Sequence, residues 1–249
     1  MSDASGSRPR TRVDGVSAPA RPPQNEILLK LPPNELAVVL EHTGERTFGL
    51  REELFEEGDA IKEVHFPLNL MISIINVLED GTAVEVLTIG REGFIGFTLL
   101  NDVTTARYKG ICQFPGNCLS LETKTFLKII DELPNLRRRL RHYSQFANEV
   151  VAQSVACNSL HSVEQRLARW LLITSDAIGI RSFDITQEFL SQMLAVRRAG
   201  VTNAMGALER RGLLEHRYGK VTLRDVEGLK KTSCECYRKI REKAGELLA

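Results

Sequence analysis

The segment FLSQMLAVRRAGVTNAM, residues 189–205, contains two apolar helical patterns with a break near Ala195–Val196. Thr186 can cap the first helix, because its hydroxyl can accept a hydrogen bond from a first-turn N–H. The second helix begins near Arg197–Arg198 and repeats apolar residues at the spacing of one helical face. The apolar residues are Phe189, Leu190, Met193 and Leu194 in the first helix, and Val201, Ala204, Met205 and Leu208 in the second. The pattern indicates a helix pair packed across a turn.

The outward face of the second helix is short, polar and cationic, with Arg198 reaching forward from its N-terminal end. The other outward positions are Ala199, Thr202, Asn203, Gly206 and Arg210. Such a face suits a DNA groove. The alternative is a generic helical hairpin with a solvated polar side.

A small hairpin is predicted directly after this helix. Gly212 ends the helix, and Leu213–His216 and Lys220–Arg224 form two short strands around Tyr218–Gly219. The tip offers Arg217 and Lys220, which suit phosphate contacts that position a protein without reading sequence. A helix pair followed by a hairpin predicts a winged helix-turn-helix domain over residues 160–249.

The charge of the chain is divided unevenly between its halves. The 249 residues carry a net charge of +1, but residues 25–130 have nine basic against sixteen acidic side chains, and residues 160–249 have sixteen against eleven. A basic last third is expected where one domain meets nucleic acid. No apolar run approaches the roughly 20 residues of a membrane span. We expect a cytoplasmic protein without a membrane partner.

The part before residue 131 divides into a tail and a β domain. Residues 1–24 contain four prolines and few large apolar side chains, which predicts a disordered tail. Within residues 25–130, Lys62–Phe66, Leu70–Leu78 and Val84–Ile89 are predicted strands, and Asp80–Gly81 is a hairpin signal. The fold class is therefore α+β, with an N-terminal antiparallel β-roll of jelly-roll type.

Residues 131–159 are predicted to form a long dimerisation helix that starts near Pro134. Apolar residues recur at alternating steps of four and three, as in the seam of a coiled coil. The alternative is a helix packed on its own β domain. The seam residues are Leu136, Leu140, Tyr143, Ala147, Val150, Ser154 and Cys157.

The segment ITQEFLSQMLAVRRAGVTNAMGALERRGLLEHRYGKVTL, residues 185–223, resembles the DNA-binding domain of the Crp/Fnr family of bacterial transcription regulators. The stretches CNSLHSVEQRLARWLL (157–172) and CECY (234–237) are similar to those of a subset of the family. The likeness covers roughly residues 26–249 in order of elements, and its specific motifs lie between 157 and 223. It implies a cyclic-nucleotide-binding-like sensor domain before the long helix.

The resemblance also implies roles for residues around the second helix. The base-reading arginine of the family falls on Arg198, which could donate two hydrogen bonds to a guanine. Ala199 stands where relatives often have Glu, and Asn203 where they have Arg, so the DNA sequence read should differ. Arg197 replaces the usual small capping residue, and Ala195 the usual Gly of the turn. Base contacts are assigned to Arg198, Thr202 and Asn203, and phosphate or flanking contacts to Thr186, Arg197, Arg210, Arg217 and Lys220.

The sensor domain implied by the resemblance keeps only part of the family's nucleotide-binding motif. In nucleotide-binding relatives a Gly-Glu pair precedes by about eleven residues an Arg that pairs with the cyclic phosphate; here Gly96 is followed by Phe97, and Arg107 keeps the spacing. Gly96 and Arg107 remain a candidate anion site, but the lost Glu argues against a cyclic nucleotide. No cysteine precedes Cys112, so no iron–sulfur cluster is expected.

The five cysteines suggest no disulfide framework in a cytoplasmic chain. Cys234–Glu235–Cys236 is too closely spaced for the usual metal clip, and no metal site is assigned. Cys157 and His161 have i, i+4 spacing and could hold a metal if both lie on one helix; buried structural residues are the alternative. Cys112 and Cys118 carry no assigned role.

The leading hypothesis is a homodimeric, sequence-specific DNA-binding regulator with a pseudo-palindromic site. Its expected partners are double-stranded DNA, a second copy of the chain and a small-molecule effector, with RNA polymerase as a further candidate. An alternative is a ligand- or nucleotide-binding signalling module that acts through protein contacts without reading DNA. Enzymatic activity is not expected, because no nucleotide loop, H-E-x-x-H or nucleophile elbow occurs.

Overall fold

The computed structural model describes residues 24–247, so the tail predicted for residues 1–24 lies outside the described part except for Gln24. Two helices open the described part of the chain where the sequence had indicated only strands: α1 (Glu26–Leu29) and α2 (Pro33–His42). Asn25 caps α1, since its Oδ1 accepts from the N–H groups of Ile27 and Leu28. A four-residue helix is too short for apolar periodicity to reveal it.

The β-roll consists of two antiparallel sheets, with strand orders β1-β7-β3 and β2-β6-β4-β5. Apolar side chains of both sheets meet in one core, in which the rings of Phe66 and Phe94 stack with centroids 5.8 Å apart. A 3-10 helix, Phe97–Asn101, connects β5 to β6. The strands are β1 (Gly44–Phe48), β2 (Glu53–Phe55), β3 (Glu63–Pro67), β4 (Met71–Val77), β5 (Ala83–Ile89), β6 (Lys109–Phe114) and β7 (Gly116–Glu122).

The hairpin predicted at Asp80–Gly81 is present between β4 and β5. Gly81 has a φ of 81°, a left-handed conformation that glycine adopts without a steric penalty. The N–H of Leu78 donates to the carbonyl of Thr82 at 2.8 Å and closes the turn. Local turn chemistry therefore identified this strand pair correctly.

Two helices follow the roll, α3 (Thr123–Ile129) and α4 (Pro134–Leu160). The sequence had placed α3 among the strands. Helix α4 contains 27 residues and has Pro134 in its first turn, where the missing N–H costs no hydrogen bond. It is the longest helix among residues 24–247.

The predicted seam of α4 faces the chain's own β-roll, which corrects its assignment to a partner helix. Leu136, Leu140, Tyr143 and Ala147 are at most 2% exposed and belong to the core of the roll. Val150 packs against the same core, and Ser154 borders an internal cavity. Cys157 lies in a separate cluster of thiols. Heptad spacing detects a buried stripe and does not reveal what buries it.

A different face of α4 is exposed. Its positions follow the predicted seam by five residues, which rotates them by about 140° around the helix axis. Val155 is 64% exposed, and Leu160 at the end of the helix is 81% exposed. The exposed positions at alternating steps of four and three are Arg141, Gln145, Asn148, Ala152, Val155 and Ser159.

The C-terminal part is built around α5 and contains a small antiparallel sheet of order β8-β10-β9. It contains the helix pair and the following two-stranded hairpin that the sequence predicted. No helix within residues 24–247 is long and apolar enough to cross a membrane. The elements are α5 (Val163–Ile178), β8 (Ser182–Asp184), α6 (Gln187–Met193), α7 (Arg198–Arg210), β9 (Leu214–Arg217), β10 (Lys220–Leu223), α8 (Val226–Thr232) and α9 (Cys236–Leu247).

Helix α9 returns from the C-terminal part to α4. Lys243 of α9 forms a salt bridge of 2.8 Å with Glu149 of α4, and Ile240 joins the core of the roll. Tyr237 donates from its hydroxyl to Asp176 of α5 at 2.9 Å. Helix α9 thereby contacts both the long helix α4 and helix α5 of the C-terminal part.

Candidate nucleic-acid interface

Helices α6 and α7 form a helix-turn-helix with a tight turn at residues 194–197. Ala195 has a φ of 50°, a left-handed conformation that is unfavourable for a residue with a Cβ atom. Its N–H donates to Gln192 and that of Val196 to Ser191, at 3.1 and 3.0 Å. The turn therefore forms with Ala195 in place of the usual Gly, and the backbone at Ala195 is strained.

Arg166 of α5 supports the same turn from beneath. It is 6% exposed, and its guanidinium donates to the carbonyl oxygen of Leu194, the C-terminal cap of α6. The positive charge also suits the negative end of the α6 dipole. Arg169 of the same helix is also buried.

Helix α7 buries its apolar face as predicted and leaves its polar face exposed. Val201, Ala204, Met205 and Leu208 are at most 5% exposed. Every residue assigned to base or phosphate contacts is exposed, so each side chain is accessible to DNA. These residues are Thr186, Arg197, Arg198, Thr202, Asn203, Arg210, Arg217 and Lys220.

The two threonines of the site already make hydrogen bonds within the chain. Thr186 caps α6, its Oγ1 accepting from the N–H of Phe189 at 3.1 Å. Thr202 Oγ1 donates to Gln187 Oε1 at 2.9 Å, which ties α7 to the first turn of α6. Thr202 thus sets the relative position of the two helices, a role that spacing alone did not indicate.

The wing is a two-residue hairpin. Tyr218 and Gly219 have φ values of 53° and 79°, as a type I′ turn requires. Tyr218 is fully exposed at the tip, a feature that the sequence analysis read only as part of a turn. The available signal was an aromatic residue before Gly219 at the centre of the predicted hairpin turn.

The cations of this surface differ in how far they are neutralised. Arg217 pairs with Glu215 at 2.7 Å, and hydrogen bonding from Arg224 lowers the pKa of the Glu215 carboxyl. Arg211 pairs with Glu164 of α5 at 2.8 Å. Within residues 24–247, four cations of this surface form no salt bridge: Arg197, Arg198, Arg210 and Lys220. An unpaired exposed cation can bind a phosphate without first breaking an ion pair.

The C-terminal domain packs directly on the β-roll. Phe183 of β8 meets Phe114 of β6 edge to face, with centroids 5.4 Å apart. Trp170 of α5 donates from Nε1 to Glu85 Oε1 at 3.1 Å, and Ser73 donates to Glu85 Oε2 at 2.6 Å. Burial raises the pKa of Glu85 to about 7. This carboxyl borders a cavity of about 410 Å³ at the junction.

The two residues of the candidate anion site, Gly96 and Arg107, do not form a common site. Gly96 is buried with a φ of 113°, and a Cβ there would meet Val64 at 2.6 Å. Arg107 is exposed, and no hydrogen bond joins the two residues within the described chain. Phe97 packs edge to face on Tyr143. Neither Gly96 nor Arg107 lines the junction cavity.

The structure brings together four side chains, of which the sequence had paired only Cys157 and His161 as metal-binding candidates. Cys157, His161, Cys234 and Cys236 place one ligand atom each within 4.8 Å of all the others. The spacing of Cys234 and Cys236 had argued against a metal site formed by these two residues. The return of α9 to α4 supplies the other two ligands, and this tertiary contact has no signature in local sequence.

The remaining cysteines are buried in the roll. Burial raises the pKa of the Cys112 thiol to about 12 and that of Cys118 to about 11. A thiol with a raised pKa is rarely ionised and reacts slowly with oxidants. Both therefore behave as core residues.

Residues 165–232 match the model of the Crp-like helix-turn-helix domain. No curated protein sequence matches the chain. The structure is similar to that of FixK2 from Bradyrhizobium japonicum, with 14% identity and a TM-score of 0.67 over 77% of this chain and 98% of that one.

Two further regulators have similar structures. The c-di-GMP responsive global regulator CLP of Xanthomonas campestris has 16% identity and a TM-score of 0.63, over 76% of this chain and 98% of that one. A CRP family transcriptional regulator of Thermus thermophilus has 18% identity and a TM-score of 0.63, over 76% of this chain and 96% of that one. Residues 165–232 therefore form a Crp-like helix-turn-helix domain, and the chain has the fold of these solved regulators.

Proposed function

We propose that the chain acts as a homodimer that reads a pseudo-palindromic DNA site with α7. The observation that carries this proposal is the outward face of α7, where Arg197, Arg198 and Arg210 are exposed and form no salt bridge within residues 24–247. Lys220 on the wing extends the same charge. Arg198 reads a guanine, Asn203 suits an adenine, and the other cations hold phosphates.

The dimer forms through the exposed face of α4, and not through the seam predicted from the sequence. Ala152, Val155 and Ser159 are exposed at heptad spacing, and Leu160 follows them at the end of the helix. Small and apolar residues let two helices approach closely. Two-fold symmetry then presents the two α7 helices to successive major grooves, about 34 Å apart.

The β-roll modulates DNA binding through its contact with the helix-turn-helix domain. Glu85 of β5 bonds to Trp170 of α5, and Met193 of α6 lines the same junction. The cavity of about 410 Å³ there falls in the size range of small-molecule sites. An effector that fills it would shift α5 and α6 relative to the roll, and with them α7.

The proposal places the protein in the cytoplasm, where DNA and RNA polymerase are available as partners. It assigns the chain no catalytic role. The rival signalling module, acting through protein contacts, would have no use for a wing and helix face that carry unpaired cations.

The proposal is tested by exposing the purified full chain to a random pool of duplex DNA and sequencing what it retains. We expect enrichment of two inverted half-sites whose centres lie about one helical turn apart. Retention should fall steeply with salt, because bound cations release counterions from DNA. Retained DNA without an enriched sequence, or no retained DNA at all, would contradict DNA reading and favour the protein-contact alternative.

A further inference from the structure

Four side chains that commonly bind metals meet where α4 ends and α9 begins. Cys157 lies in the last turn of α4, His161 caps that helix, and Cys234 and Cys236 flank the start of α9. The three thiols are at most 3% exposed and form a cluster of their own. We propose that Cys157, His161, Cys234 and Cys236 bind one zinc ion.

The distances suit a single tetrahedral ion. With Zn–S bonds of about 2.3 Å and a Zn–N bond of about 2.0 Å, tetrahedral ligand atoms lie roughly 3.5–3.8 Å apart. Cys157 Sγ and Cys234 Sγ are 3.4 Å apart, and Cys236 Sγ is 3.6 Å from His161 Nδ1. All four ligand atoms lie within 4.8 Å of one another. The two closest pairs already have this separation, and the widest pairs would close by up to about 1 Å to complete the coordination.

The ligand set selects the ion by its chemistry. Three thiolates and one imidazole are a common set for structural zinc, whereas magnesium and calcium take oxygen ligands. All four positions come from protein side chains, which leaves none open for a water or substrate. The site is thus structural in type.

The residues around the ligands support the same assignment. His161 Nε2 lies 3.1 Å from Glu235 Oε2, which orients the ring so that Nδ1 faces the thiols. Metal-bound histidines usually donate their second ring N–H to a carboxylate in this way. Gln153 also donates to Cys236 Sγ at 3.1 Å.

The charge of the surroundings favours an anionic centre. Zinc binding releases three thiol protons to solvent and leaves a net charge of −1, two positive charges against three thiolates. Arg166 and Arg169 are buried and interact electrostatically with the thiols of Cys157 and Cys234. Their Nε atoms have no hydrogen-bond partner within the described residues. The zinc–thiolate centre offsets two buried positive charges.

The position of the site gives the metal a mechanical role. His161 lies between the end of α4 and the Ser162 cap of α5, so the ligands lie at the joint between the long helix and the DNA-binding domain. Cys234 and Cys236 bring in the C-terminal helix. Zinc would hold three helices in one arrangement at this joint, independently of whether the chain reads DNA as proposed.

The metal content of the full chain, purified under reducing conditions and reconstituted with zinc, tests the assignment. We expect one zinc per chain by elemental analysis, and the visible absorption of tetrahedral thiolate-bound cobalt after exchange. Cys236→Ser should lose the ion. Cys112→Ser, a matched control in the roll, should keep it, because its thiol lies in a different buried cluster.

A milder variant avoids loss of the fold. Glu235→Gln keeps all four ligands and weakens the orienting contact to His161, so zinc affinity should fall about 10–100-fold. Glu242→Gln on the same helix, whose carboxylate pairs with Arg238, should bind zinc like the wild type. No zinc on the reconstituted wild type, iron in its place, zinc retained by Cys236→Ser, or a Cys157–Cys234 disulfide without metal would each overturn the proposal.

Discussion

Helices α4 and α7 carry apolar stripes of the same kind, but different surfaces cover them. The stripe of α7 packs into its own domain, as the sequence predicted, and leaves a cationic face outside. The stripe of α4 was assigned to a partner, yet it packs on the β-roll of the same chain. Periodicity therefore locates a buried face, and only the tertiary fold identifies the surface that covers it.

The largest expected effect is a difference in the free energy of unfolding between substitutions on the two faces of α4. Leu140→Ala removes a fully buried side chain from the core of the roll and should lower the free energy of unfolding by about 2–5 kcal/mol. Val155→Ala, on the exposed face of the same helix, should change it by less than about 0.5 kcal/mol at protein concentrations where the chain is monomeric. Chemical denaturation of both variants measures the difference. Equal losses would mean that α4 is covered on both faces within one chain.

The exposed face of α4 should respond to charge. In the proposed dimer Val155→Glu places two carboxylates in the seam, and we expect at least a tenfold weaker dimer, about 1.4 kcal/mol or more. Sedimentation across a range of concentrations measures this change. Val77→Glu, an exposed valine at the end of β4, is the matched control and should leave the association unchanged. A Val155→Glu chain that associates as tightly as the wild type would move the interface elsewhere.

The outward face of α7 gives the next effect. Arg198→Ala removes a side chain that can donate two hydrogen bonds to a guanine, and should cost about 1–3 kcal/mol on the preferred site. Specificity should relax at one base position of each half-site. Arg238→Ala on α9 serves as a control for loss of one exposed arginine. Binding to preferred and scrambled duplexes is compared by titration; an unchanged base preference would remove Arg198 from the readout.

The smallest expected effect lies at the junction between the roll and the domain that carries α7. Burial raises the pKa of Glu85 from 4.5 to about 7, so the folded chain holds this proton more tightly than the unfolded chain. The stabilisation is complete below about pH 4.5 and is lost as the pH rises through about 7. The full pKa difference corresponds to about 3 kcal/mol, and because the Glu85 side chain is partly exposed we expect the free energy of unfolding to fall by about 1–2 kcal/mol over this window.

Glu85→Gln should remove that part of the pH dependence, while Glu79→Gln on the exposed hairpin should not. Unfolding measured at pH 5 and pH 8 for the three proteins makes the comparison. The same slope in wild type and Glu85→Gln would show that another group titrates in this range.

The sequence predicted those features that depend on neighbouring residues. The wing around Tyr218–Gly219, the hairpin at Gly81 and the capping by Thr186 follow from local backbone and hydrogen-bonding preferences. Features that depend on the return of distant segments were missed or misassigned. Arg166 reaches Leu194 only because α5 lies beneath α6, and Cys157 meets Cys234 only because α9 folds back on α4.

The central claim is that the outward face of α7 lies in a DNA groove. A photo-crosslinking group placed at Asn203, which is exposed on that face, tests it most directly against the same group at Arg238 on α9. On the selected duplex we predict cross-links to bases of both half-sites from position 203 and none from position 238. Cross-links from position 238 alone, or none to bases from position 203 in a chain that still binds the duplex, would contradict the account.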